Sequence, residues 1–315
     1  MGREGLSLAV LRSGLTSRRS LSMPPQNRLK TSTTLTFFNI IKAFLGTGLL
    51  VIPYGARCGG MWLSFVGIIL LGLSSNFTLK MLVRTKREIL KQHPTMDSGR
   101  ITFDALGYYA FGNPGKRLAT AAQVITNLGI VLGYAIFVGE TLLMVAVLCG
   151  LPRATIDPEL YNTGIRVSVF LVASFPLLGG LALFRSMRKL APMSIVGSVA
   201  ILVASFAVFY ASAVEIYQHG VVQVPSARWE TFPTFFGLLV FGFAIHGATL
   251  QIEEGMAHPE HMEYVIDVAS VVVVVIYLIY SVLCYSAYGK WTGYSGGGGG
   301  WWFMHMVPKT KLFLV

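Results

Sequence analysis

Residues Phe37 to Gly60 read FFNIIKAFLGTGLLVIPYGARCGG, and the fold turns on how this stretch is taken. It is apolar and long enough to enter a bilayer, where about 20 residues make one helical crossing. Yet Gly46-Thr47-Gly48 stands near its middle and Pro53 follows. Glycine and proline are poor residues for a helix interior. Within lipid, the freed N–H and C=O groups are tolerated only where protein or a water-filled cavity satisfies them. A crossing helix interrupted in this way points to a binding site in the membrane. Gly46 and Gly48 equally suit the close approach of a neighbouring helix, and the residues alone leave both readings open.

The rest of the chain supports a membrane setting. Of 315 residues, 54% are hydrophobic and 12% charged, against about 25% charged in a soluble domain. The net charge of +11 is not gathered into one module that would suit a nucleic acid. It lies between apolar runs, as topology requires. Seven such runs are read, at 35–53, 60–83, 118–148, 165–184, 191–213, 232–251 and 265–288. An all-α, polytopic membrane protein follows. Cys58, Cys149 and Cys284 are too widely spaced for a metal site or a disulfide framework. Buried free thiols are favoured over a Cys58–Cys149 bridge.

Basic residues set the expected orientation. Residues 1–33 form a polar, basic tail, read as disordered and cytosolic rather than as a transit peptide. Arg84, Lys86, Arg87, Lys91, Arg100, Lys116 and Arg117 are placed between the second and third runs, on the same side. Within that connection, ITFDALGYYAFG (101–112) is read as a short interfacial helix with Ile101, Ala105, Tyr108 and Tyr109 on one face. Asn76-Phe77-Thr78 matches a glycosylation sequon but is expected to be unused at that depth. Residues 289–315, with five glycines in a row, are read as a flexible tail after an incomplete transmembrane domain over 34–288.

Ionisable groups inside the runs are few, and each costs about 2.5–3.5 kcal/mol or more at mid-membrane. Glu140 follows the small-residue string GYAIFVGET and is a candidate to bind and release a proton, or a structural partner for a hydroxyl or backbone group. Lys42 is a weaker candidate, close enough to one end to snorkel. The sixth run holds FFGLLVFGFAIHGATLQIEEGM, with Gly237, Gly242 and Gly247 and His246 beside the last. A histidine titrates near neutral pH and suits proton-linked work; a hydrogen-bonded packing histidine is the equal alternative. Two interrupted runs five apart are the signature of an inverted repeat with its site between the repeats. Helix N-termini at such breaks favour a carboxylate and the opposite ends a cation, which together describe a zwitterionic amino acid.

At these residues the chain resembles the amino acid/auxin permease family, nearest its proton-coupled and vacuolar amino acid transporters. IIKAFLGTGLLVIPYGARCGG, TFDALGYYAFGNPGKRL and FFGLLVFGFAIHGATLQIEEGMAHPE carry the resemblance, in the family's order. It implies an inverted-repeat fold of eleven helices, five plus five in the core, of which about seven are present here. It implies alternating-access transport of amino acids driven by protons, in some branches by sodium, with no other cofactor. Substrate contacts carried over fall on Gly46, Thr47, Gly48 and on Phe243, Ala244, His246 and Gly247, while Glu140, His246 and Lys42 stay the coupling candidates read from the residues themselves. Glu253 and Met256 match the family's residues after the second break. Where relatives often carry an acid in the sixth helix, Ala244 stands here, with His246 two positions on. The expected partners are an amino acid and lipid, with no nucleic acid, in a vacuolar, lysosomal or plasma membrane. A rival expectation is a truncated, non-transporting paralogue that is inert or regulates a full-length relative. A seven-helix receptor disagrees with the cytosolic N-terminus, and no residue pattern suggests an enzyme.

Overall fold

A computed structural model describes residues 30–93, 101–148, 172, 175–176, 179–180, 187–289 and 292. Its helices are α1 (Thr33–Gly59), α2 (Met61–Gln92), α3 (Phe103–Leu148), α4 (Met187–His219), α5 (Phe232–Gly242), α6 (His246–Glu254) and α7 (Met262–Tyr288), with a 3-10 turn at Pro259–His261 before α7. Among the described residues there is no β-strand; one isolated bridge pairs Thr31 with Met256. The expected tail at 1–33 falls outside the described residues up to position 29, as does nearly all of the run at 165–184 and of the glycine-rich tail. Five helices, or six crossings when the bent α1 is included, are long and apolar enough to span a membrane.

α1 starts at Ser32, whose Oγ accepts from Leu35 N–H at 3.4 Å, and it breaks at Gly46 (φ −32°, ψ −126°). The halves Thr33–Gly46 and Val51–Gly59 meet at 53°. Pro53, expected to contribute to the interruption, lies inside the second half. It occupies that half's first turn, where no helical partner is lost. The sixth run is divided more cleanly: α5 ends at Gly242, residues 243–245 are non-helical, and α6 begins at His246.

α7 is the hub, packing against α1, α2 and α4. Its Ile266, Ala269, Val273 and Tyr277 are fully buried, as are Ile40, Phe44 and Ile52 of α1, Ile68 and Leu79 of α2, and Leu239 of α5. α4 touches this core through Val208 and Ser212. Its outer face, and that of α3, is a run of exposed aliphatic side chains suited to lipid or to further helices.

Two sequence expectations need correction. The cations Arg84, Lys86, Arg87 and Lys91 are not in a loop. α2 runs 32 residues to Gln92, about 48 Å at 1.5 Å per residue and well beyond a hydrocarbon core of about 30 Å. Its extension is held because Val83 and Ile89 continue the buried stripe and because acids from α6 and α7 pair with its cations. The short helix read at 101–112 exists as the first arm of α3, set off from the long span at Phe111 and Gly112. Its buried face is Ile101 and Leu106, packed on Ile89 and Leu250, whereas Tyr108 and Tyr109 are exposed. Cys58 and Cys284 are buried and free, and Cys149 lies outside the described residues.

The 221–228 segment straps one end of the bundle. Met61 N–H donates to Pro225 O at 3.0 Å, Arg228 N–H to Gly59 O at 2.8 Å and Val222 N–H to Ser286 O at 2.9 Å. The strap passes close over Gly60, which has φ +85° and ψ 169°, a conformation open essentially to glycine alone. A Cβ there would stand 2.8 Å from Ala227 Cα and 2.9 Å from Pro225 O. Gly60→Ala is therefore expected to cost about 1–3 kcal/mol from backbone strain alone, read as a lowered melting temperature of the detergent-solubilised protein. An unchanged melting temperature would show that the corner between α1 and α2 is not held as described.

Candidate functional site

The breaks of α1 and of α5–α6 face each other across very little space. A Cβ on Gly48 would lie 3.1 Å from both Cα and O of Gly242, and 2.7 Å from Oη of Tyr277. Gly48 is thus a packing glycine, whereas a Cβ on Gly46 would meet nothing within 4 Å. The two roles that the sequence left open are divided between two residues two positions apart.

Tyr277, from the middle of α7, supplies the polar group at this junction. Its Oη lies 2.6 Å from Phe44 O and 2.9 Å from Gly242 O. In an unbroken helix Phe44 O would accept from Gly48 N–H, and Gly242 O from His246 N–H; each of those donors stands across a break. The Tyr277 ring packs edge-on against Phe243 at 5.3 Å, and Phe243 against Phe44 at 6.1 Å. At the start of α6, Ala248 N–H and Thr249 N–H both donate to Ile245 O, at 3.0 and 3.2 Å. His246 and Gly247 precede them, and no side chain caps this end. A helix's first N–H groups have no partner within it, so donors and a positive dipole end stand at the break.

Beside the junction is a cavity of about 40 Å³ lined by Ala43, Phe44 and Gly48 of α1, Ile130 and Tyr134 of α3, and Phe241, Gly242, Ala244 and Ile245. That is room for about three waters. An amino acid enters only if the breaks part.

The sequence candidates scatter around this point. Gly46, Gly48 and Ala244 lie at it, and Ala244 lines the cavity. Phe243 is buried in the aromatic contact with Phe44 and Tyr277 and does not line the cavity. His246 turns to α2, its Nε2 2.8 Å from Thr78 Oγ1. Thr78 Oγ1 is also 2.9 Å from Ser74 O and 3.0 Å from Ser75 O. With its proton on one of these carbonyls, His246 Nε2–H is the donor. Gly247 is exposed, beside Gln123 of α3. Lys42 is exposed on α1 and is not part of the cavity wall. Thr47 and Glu140 sit on α1 and α3, with side chains outside the described residues. The sequon is consumed within the fold, Thr78 by His246 and Asn76 by Asp267, to whose Oδ1 its Nδ2–H donates at 2.9 Å.

A second polar group, unforeseen as a unit, fastens the far end of α6. Lys86 Nζ is 3.3 Å from Glu253 Oε2, both side chains being almost wholly buried, at 2% and 4% exposure. Lys86 Nζ also donates to Leu250 O at 3.4 Å. Arg87 reaches Glu253 Oε1 at 3.4 Å and Glu263 Oε1 at 3.0 Å, and it donates to Pro259 O. Lys80 pairs with Asp267 at 2.7 Å. Glu253 Oε2 has no aligned hydrogen bond, so its tie to Lys86 is ionic. Thr31 closes the same end: its N–H donates to Gly255 O and its O accepts from Ala257 N–H, each at 2.8 Å. The signal for this cluster was present as alternating cations on α2 and acids after the sixth run, which loop assignments kept apart.

Residues 29–293 match the family described as Transmembrane amino acid transporter protein. The chain belongs to that family of membrane proteins. It is similar to vacuolar amino acid transporter 3 of Schizosaccharomyces pombe, with 23% identity over 79% of this chain and 35% of that protein. It is similar to amino acid transporter ANT1 of Arabidopsis thaliana, with 23% identity over 84% of this chain and 58% of that protein. With vacuolar amino acid transporter 4 of Saccharomyces cerevisiae the identity is 24% over 88% of this chain and 37% of that protein. The chain thus spans 35–58% of the length of these relatives.

Removing one partner of a buried ion pair costs about 3–5 kcal/mol because a charge is left behind. Glu253→Gln strands Lys86, while Lys86→Met leaves Glu253 its contact with Arg87. The glutamine variant is therefore expected to melt well below Lys86→Met. Equal melting temperatures would refute the pairing.

Proposed function

We propose that this chain builds the amino acid site of a secondary active transporter working by alternating access. The observation that carries the reading is the face-to-face placement of two broken helices around a small cavity. Each break offers opposite ends of the helix dipole. The half starting at His246 turns uncapped N–H groups toward its break, which suits an α-carboxylate, and the half ending at Gly46 turns its carbonyl end toward the other, which suits an α-ammonium. Gly46, Thr47, Gly48, Ala244 and Gly247 supply the main-chain contacts, and Phe243 holds the break from behind.

Proton coupling is the preferred drive. His246 is the first residue of α6, next to the break, and histidine is a side chain suited to proton-linked work. Its Nε2–H is already given to Thr78, so protonation falls on Nδ1 and adds a positive charge at the start of α6. Glu140 and Lys42 remain further candidates for the same step. The vacuolar names of two relatives favour a vacuolar or lysosomal membrane, and the basic N-terminal tail favours a cytosolic N-terminus.

The test is flux of radiolabelled alanine, leucine and glutamine in proteoliposomes, with and without an imposed pH gradient. Stimulated flux of at least one is expected, and none would sink the reading. Ala244→Leu fills the cavity; overpacking of about 1–3 kcal/mol corresponds to a loss of affinity of roughly five- to 150-fold. His246→Gln is expected to abolish stimulation by the gradient while leaving amino acid exchange at zero gradient in place. Retained stimulation would move the coupling role elsewhere.

A further inference from the structure

We propose that Tyr277 is the positioning residue of this site: its hydroxyl holds the two broken backbones in register and so sets substrate affinity. The inference rests on the reading of the breaks as the substrate site. The residue has no counterpart among the sequence candidates.

Several observations converge on one oxygen. Tyr277 is fully buried, 15 residues into α7 from Met262 by the numbering. Tyrosine in a membrane helix is enriched at the interfaces, where its hydroxyl is wet; here it sits in the middle of VVVVVIYLIYSVL. A buried hydroxyl needs a partner, and this one has two, Phe44 O at 2.6 Å and Gly242 O at 2.9 Å. Gly242 is the last residue of α5, and Phe44 stands two positions before the kink at Gly46. One hydroxyl from a third helix therefore reaches main-chain oxygens beside both breaks.

The approach is also sterically reserved. Gly48 leaves the hydroxyl its place, since a Cβ there would stand 2.7 Å from Oη. A Cβ on Gly242 would be in ordinary contact with the same ring, 3.5 Å from Cε2. Thus the glycine on α1 and the tyrosine on α7 are complementary. Removing the hydroxyl should relieve most of the crowding that a methyl group at 48 creates, leaving Gly242 Cα and O at 3.1 Å as the remaining neighbours.

The hydroxyl carries one proton for two carbonyls. It donates fully to one or divides itself between both, but in either case it stands between the two helices. Without it, both carbonyls lose this donor, and the breaks are free to drift apart. A site made of main-chain dipoles depends on that separation more than one made of long side chains, which adjust.

Tyr277→Phe keeps the ring and its contact with Phe243 and removes only the hydroxyl. In the full chain reconstituted as above, KM for the transported amino acid is expected to rise about tenfold, the factor of one lost hydrogen bond, with the maximal rate per folded molecule little changed. A merely structural tyrosine would instead lower the amount of folded protein and leave KM alone. A second readout needs no substrate. Ala43→Cys places a thiol on the cavity wall, and its modification by a small methanethiosulfonate reagent, measured as the increment over the unmodified chain, is expected to speed up severalfold when combined with Tyr277→Phe. Gly48→Ala should raise KM and labelling in the same direction, and should add little in the Tyr277→Phe background. If Tyr277→Phe yields no folded protein, Gly48→Ala carries both readouts. Flux in the parent with unchanged KM and labelling in the variant overturns the role of Tyr277 and leaves the reading of the site standing. No flux in the parent overturns that reading, and the labelling rate alone then decides: an unchanged rate defeats the positioning role too.

Discussion

A carbonyl released from a helix inside a bilayer must find another donor, and no water is at hand to supply one. That constraint shapes this molecule. Two spans are broken near their middles, at Gly46 and at residues 243–245, and the fold is arranged to make those breaks bearable. α7 brings a hydroxyl to the carbonyl ends of both. The last carbonyls of α5 are taken by Phe243 and Ala244 N–H in a tightened final turn. Among the described residues, the N–H groups at the start of α6 have no capping side chain, and they stand beside a cavity with room for a few waters.

The polar groups away from the breaks serve a different end. The cations on the last turns of α2 and the acids of α6, its following turn and α7 form a lattice at one end of the bundle. Its exposed members contribute little each. The Lys86–Glu253 contact is of another kind, because both side chains are almost completely dry. Such a pair adds little over a well-packed apolar one, yet neither partner can be spared alone. It fixes which turn of α6 meets which turn of α2.

Much of the architecture was legible in the residues. The breaks were visible because Gly46 and Gly48, and Gly242 and Gly247, sit where an uninterrupted span would carry leucine or valine. The short arm before the α3 span was visible in ITFDALGYYAFG. Other features escaped for definable reasons. Pro53 looked like a breaker because sequence alone does not say that a new half-helix starts at Val51, which puts the proline in a harmless first turn. Basic residues after Val83 looked like a loop because the rule that orients spans treats charge as solvated; Glu263, which pairs with Arg84 and Arg87, is more than 170 positions away in sequence. Leu106 was passed over for Tyr108 and Tyr109 because helical spacing does not show which side docks. Tyr277 escaped because a tyrosine in an aliphatic run is read as bulk until its hydroxyl is seen to have two acceptors.

The nine residues of α6 are fastened at both extremities, by His246 to Thr78 at the first and by Glu253 to Lys86 and Arg87 at the last, while α5 is keyed to α1 at Gly48 and Gly242. Mechanically, then, the stub is a rider on α2 and has no lever of its own. A swing about the three-residue joint at 243–245 has to carry α2 along or break these ties, so it loads a 32-residue rod and not only the nine-residue piece that carries the histidine.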